Sequence, residues 1–184
     1  MPAPDAAPAQ PGEASIMVNG EATSLSITRL NNSYKITGSE IEVVLKVLDK
    51  DGKVVPLDAD GNINGAEGDS VSVEVSGARP NESLNVWMFS TPIQIGSGDI
   101  SDNGDFVGKF SIPKEVESGS HRLVLKTVSY TGSDSTVSVG FIVGSGNNGG
   151  SAISAIIFTT LGIAVAFALI IPATRRRRRK LQAA

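Results

Sequence analysis

The chain predicts a mainly β protein, an antiparallel sandwich preceded by a smaller β-rich segment and followed by one C-terminal transmembrane α-helix. Three observations carry that expectation. Apolar residues recur at every second position over short runs, which is the period of a strand with one buried face and one wet face. Turn-forming compositions separate these runs at intervals of roughly ten residues, as in a sandwich. Near the C-terminus an uncharged stretch long enough to cross a bilayer ends in six consecutive cations.

The elements follow in chain order. Residues 1–14 carry Pro2, Pro4, Pro8 and Pro11 among alanines and read as an extended linker. They have neither the basic start nor the apolar centre of an export signal. Either the C-terminal span serves as its own insertion signal, or the chain is the C-terminal piece of a longer precursor. The second is the expectation, because proline-rich stretches commonly join two folded parts. Residues 15–51 are strand-like at Leu25 and Ile27, at Tyr34 and Ile36, and from Ile41 to Leu48. About 40 residues make a marginal core alone. The segment therefore either pairs with the sandwich or completes a domain that begins upstream.

Residues 52–144 hold the clearest alternation. Val71, Val73 and Val75 are interleaved with Ser72, Glu74 and Ser76. Leu84, Val86 and Met88 come next, with Trp87 and Phe89 making that run apolar on both sides. Ile93 and Ile95, then Phe106, Phe110 and Ile112, then Leu123 and Leu125 follow, and Val137, Val139, Phe141 and Val143 close the series. The turns fall at residues 77–81, 101–104, 113–120 and 131–134. Asp102, Asn103 and Gly104 form a hairpin signal, since Asn and Gly tolerate positive φ. The spacing predicts about seven short strands, with Ile63 or its neighbours closing the front. Trp87 is expected at the centre of the core, because a lone aromatic within a strand is usually buried there.

Residues 80–96, running from Pro80 through Trp87, Met88, Phe89, Ser90, Thr91 and Pro92 to Gly96, are followed by Asp102 to Phe106, Ile112 with Pro113, and Gly119 to His121. In that order they resemble the immunoglobulin-like modules of actinobacterial surface proteins. The lead-in at residues 55–62 is similar as well. The resemblance spans residues 52–143 and implies a fold and a cell-surface location, with no catalytic residues.

Residues 145–151 are a Gly-rich tether. From Ala152 to Ala173 no residue is charged, and Ser154, Thr159 and Thr160 are the polar ones. The 19 residues from Ile153 to Ile171 would span roughly 28 Å as a helix, matching a hydrocarbon core of about 30 Å. A soluble core helix would show a polar face and would not abut a run of cations. Arg175, Arg176, Arg177, Arg178, Arg179 and Lys180 are therefore read as a stop-transfer signal in contact with anionic headgroups. That sets residues 152–174 in the membrane, residues 175–184 in the cytoplasm and the preceding part outside. Gly162 and Ala166 form a small-xxx-small pair of the kind that lets helices approach.

Charge excludes one class of partner. The whole chain has a formal net charge of −3, but residues 1–174 hold all 19 acidic residues and ten of the 16 basic ones, a net −9. An acidic chain is a poor match to nucleic-acid phosphates. With no cysteine there is neither a disulfide nor a thiolate zinc site, and one histidine excludes a paired-His site. His121 lacks a nucleophile elbow preceding a helix and is expected on the surface or at a sheet edge. The acidic turns at Asp49 and Asp58 fail the calcium-loop pattern, because counting from Asp58 places Ile63 at position 6 and Asp69 at position 12. They are expected to be ordinary turns. Asn31 and Asn81 fit a glycan-acceptor pattern.

Together these readings describe a non-enzymatic, single-pass surface protein with no cofactor. Its expected partners are the bilayer, through residues 152–174, and an extracellular protein or glycan. The alternative treats Gly149, Gly150, the span and the arginine run as a processing signal. It resembles the Gly-Gly tails recognised by rhomboid-like membrane proteases.

Overall fold

A computed structural model describes residues 2–38 and 40–144. The tether, the transmembrane segment expected at 152–174 and the basic run at 175–180 lie outside those residues. Among the described residues no helix is long and apolar enough to cross a membrane.

Twelve strands occur in the described part: β1 (Ala14–Val18), β2 (Glu21–Thr23), β3 (Leu25–Leu30), β4 (Ser33–Gly38), β5 (Ile41–Leu48), β6 (Asn64–Ala66), β7 (Ser70–Ser76), β8 (Ser83–Phe89), β9 (Ile93–Asp99), β10 (Phe106–Ser111), β11 (Gly119–Val128) and β12 (Asp134–Gly144). They form two sheets. The first runs β2-β1-β12-β11-β8-β9, with β6 beside the end of β12, and the second runs β10-β7-β5-β4-β3. Every ladder is antiparallel except the short β6–β12 pairing. The fold is an all-β sandwich compatible with an immunoglobulin-like module.

Alternation explains the two layers. Along β5, Ile41, Val43, Leu45 and Val47 are buried, while Glu42, Val44 and Lys46 are only partly covered on the opposite face. Val71, Val73 and Val75 of β7 repeat the pattern in register, Val43 opposite Val75 and Leu45 opposite Val73. Leu84, Val86 and Met88 of β8, Leu123 and Leu125 of β11, and the odd-numbered residues from Val137 to Val143 of β12 supply the facing layer. These side chains form one core cluster between the sheets. The polar outer face of the second sheet carries cross-strand ion pairs, Lys35 with Glu42 at 2.8 Å and Lys46 with Glu74 at 3.0 Å.

Residues 15–51 contribute to both sheets: β1 pairs with β12, and β5 pairs with both β4 and β7. The β1–β2 and β3–β4 hairpins turn on asparagines with positive φ, Asn19 at 51° and Asn31 and Asn32 at 52° and 59°, as tight primed turns require. The turn at residues 101–104 departs from expectation. Gly104 does adopt φ 83°, yet the turn joins β9 of the first sheet to β10 of the second and closes no hairpin. A local turn signal specifies a reversal of direction, and the partner is chosen by the core.

Residues 4–13 lie across the outer face of the first sheet and end in a turn in which the Glu13 N–H donates to the Gln10 carbonyl at 2.9 Å. Ala9 is buried, the backbone of Gln10 passes directly over Gly140 where a Cβ would stand, and Gly140 N–H donates to the Glu13 carbonyl at 3.0 Å. Arg122 Nη1 donates to the carbonyls of Ala6 and Ala7 at 3.2 and 2.9 Å. At the other end, Arg29 of β3 reaches the Gly12 carbonyl at 2.6 Å and the Gly61 carbonyl at 3.1 Å.

Candidate functional site

His121 was expected at the surface or a sheet edge, and the structure corrects this. It lies on β11, between β8 and β12, and is 7% exposed. Because it shares parity with Leu123 and Leu125, its ring points to the inner side of the sheet, where the sandwich ends. Its Nδ1 is 3.0 Å from Ser90 Oγ, and its Nε2 is 2.7 Å from the Glu117 carbonyl oxygen. A carbonyl can only accept, so Nε2 carries the proton and Nδ1 accepts from the Ser90 hydroxyl. Sequence reading missed this pair because Ser90 and His121 are 31 residues apart. The β8–β11 register, with Phe89 opposite Arg122, is what brings them together.

The cleft beside this pair is lined by Met88, Ser90, Thr91, Ile93, Glu115, Val116, Glu117 and His121 and has a volume of about 110 Å³. A small-molecule pocket usually offers about 300–1,000 Å³. The hydroxyl–imidazole contact is the first half of an acyl-transfer apparatus. The second half, a carboxylate orienting the imidazole, is replaced here by a backbone carbonyl. The two contacts tie the end of β8 to the segment leading into β11.

The acidic turns are self-contained. Asp49 Oδ1 accepts from the N–H groups of Asp51 and Lys53 at 2.9 and 2.8 Å. Asp58 Oδ1 accepts from those of Asp60 and Asn62 at 3.0 and 2.7 Å, and its Oδ2 from Asn62 Nδ2 at 2.8 Å. Short polar side chains closing their own turns are a routine loop device. The Asp58 turn also presents the Gly61 carbonyl to the buried Tyr34 hydroxyl at 2.6 Å. Asn31 and Asn81 both sit exposed in turns.

Trp87 requires the second correction. It is 5% exposed, as a core residue would be, but it takes no part in the cluster between the sheets. Val86 and Met88 point into that cluster, so Trp87 faces outward. Its run is apolar on both sides, and alternation alone therefore left the choice of face open. On the outer face Trp87 stands opposite Val124, itself opposite Ser138, itself opposite Ser15. Val124 and Ser138 are fully buried. Beside them, the Arg122 guanidinium lies 5.3 Å from the centre of the Phe89 ring, within range of a cation–π contact.

No protein-family model matches the chain, and no curated protein is significantly similar to it.

Proposed function

We propose that the chain is a non-enzymatic surface module of the kind found in actinobacterial immunoglobulin-like proteins, held outside the cell by a single C-terminal span. The observation that carries this reading is an arrangement along the chain. A β-sandwich whose last strand ends at Gly144 is followed by a short Gly-rich tether, 22 uncharged residues (152–173) and six cations. Residues 152–174 enter the bilayer, Arg175 to Lys180 stay inside, and the acidic sandwich is offered to an extracellular protein or glycan. Fractionation tests the anchoring: the chain should stay in the membrane pellet through alkaline extraction, with its sandwich cleaved by protease added to intact cells. Recovery in the alkaline supernatant overturns it.

A second reading is favoured by Gly149 and Gly150 standing immediately before the span. In it the tail is a processing signal cut by a membrane protease after export. Intact-mass measurement of the mature protein separates the two, because a mass that includes residues 175–180 excludes processing.

A further inference from the structure

Ser90 and His121 place a nucleophile and a base within reach of each other beside an open cleft. Ser90 is exposed, whereas the imidazole behind it is buried. The Glu117 carbonyl takes the Nε2 proton at 2.7 Å, which fixes the ring and turns the Nδ1 lone pair onto the Ser90 hydroxyl at 3.0 Å. A hydroxyl and a base in hydrogen-bond contact, with the base oriented by a third group, is the arrangement that activates a serine. With the ring buried, Nδ1 is engaged by Ser90 in place of solvent.

The cleft defines what that hydroxyl can receive. Its volume of about 110 Å³ admits only a few heavy atoms. Met88, Ile93 and Val116 give it apolar wall, and Glu115 and Glu117 line it with carboxylates, which disfavour a further negative charge. A short, uncharged acyl group meets both conditions. Ser90 and His121 also line the adjoining, wider hollow beside Phe89 and Arg122, which leaves room for a leaving group. We propose that Ser90 is an acylation site that takes one short, uncharged acyl group from an activated ester. Ser90 Oγ bonds to the acyl carbon, the ester C–O bond breaks, and the hydroxyl proton passes to His121 Nδ1 and on to the departing alkoxide. No oxidant or reductant is involved. The inference goes beyond the surface-module reading and is independent of it, because one acyl group accepted by the module is a modification and requires no turnover.

Brief incubation of the full chain with p-nitrophenyl acetate, an acid quench and peptide mass mapping test this. Among the hydroxyl side chains, Ser90 should carry the acetyl group first, at a rate that stands well above that of the other serines. His121→Gln keeps a polar side chain in the same place but removes the base, and it should slow acetylation of Ser90 about a hundredfold. Unfolding the wild-type chain in urea should do the same, because the base comes from a residue 31 positions away. If His121→Gln abolishes cooperative melting, the wild-type rate in D2O replaces it: a proton moving to the base makes acetylation slower there, whereas a merely accessible hydroxyl responds little. An ordinary hydrogen bond between the two side chains gives none of these results. Acetylation of Ser90 no faster than that of the other serines, or a Ser90 rate indifferent both to His121→Gln and to D2O, overturns the proposal. Nitrophenol released by Ser90 well beyond one equivalent overturns the single-acceptor assignment, since it would show turnover.

Discussion

Glu40 fastens one sheet to the other at a single point. Its carboxylate accepts from Thr131 Oγ1 at 2.6 Å and from Thr131 N–H at 3.3 Å, joining the β4–β5 turn to the β11–β12 turn. The Thr131 hydroxyl, against an opposing effect of desolvation and helped by the Thr131 N–H, holds the Glu40 pKa below the usual glutamate value. A depressed carboxylate pKa stabilises the fold above the unfolded value of about 4.3 and stops doing so as pH falls through the folded value. Thr131→Val should therefore lower the melting temperature most near neutral pH, with a gap to wild type that narrows below pH ~4. Parallel thermal melts across the acid range check this, and a gap independent of pH excludes it. His121 shows why such contacts escape a linear reading. Its neighbours in sequence describe a strand, whereas its ring meets Ser90 and the Glu117 carbonyl through pairing and chain reversal.

Strands are the scale at which the sequence is most informative, because alternation is a property of consecutive residues. The runs at β5, β7, β11 and β12 are each legible as one apolar face, and residues 52–144 contain seven strands. β8 is the ambiguous element: all five residues from Leu84 to Met88 are buried, and Trp87 and Phe89 make the face that carries Asn85 largely apolar as well. The structure gives Leu84, Val86 and Met88 to the core and Trp87 to the outer face. Trp87→Ala should still cost about 3 kcal/mol, at the low end for a buried tryptophan, because a site on the outer face can collapse into part of the gap. Urea denaturation measures the loss. A change under about 1 kcal/mol would mean that Trp87 is not effectively buried.

Over the whole molecule, the acidic residues are spread along the chain and, among the described ones, do not gather into a cation site. The Asp49 and Asp58 carboxylates are occupied by their own backbone N–H groups, and among the described residues no cluster of metal-ligating side chains forms. Millimolar calcium should leave the melting temperature of the protein unmoved, and a calcium-dependent rise would show that these turns open to bind it. With no cysteine in the chain, the fold rests on its core and its ladders. The sequence by itself determined the strand period, the turn positions and the division of charge along the chain, since each depends on residues close together. Only the tertiary structure decided which face of β8 is the core, that the 101–104 turn crosses between sheets, that His121 is enclosed, and that residues 4–13 lie on the sheet. Each of these depends on partners far apart in sequence, where burial of apolar surface and satisfaction of polar groups select one arrangement among several that the local pattern allows.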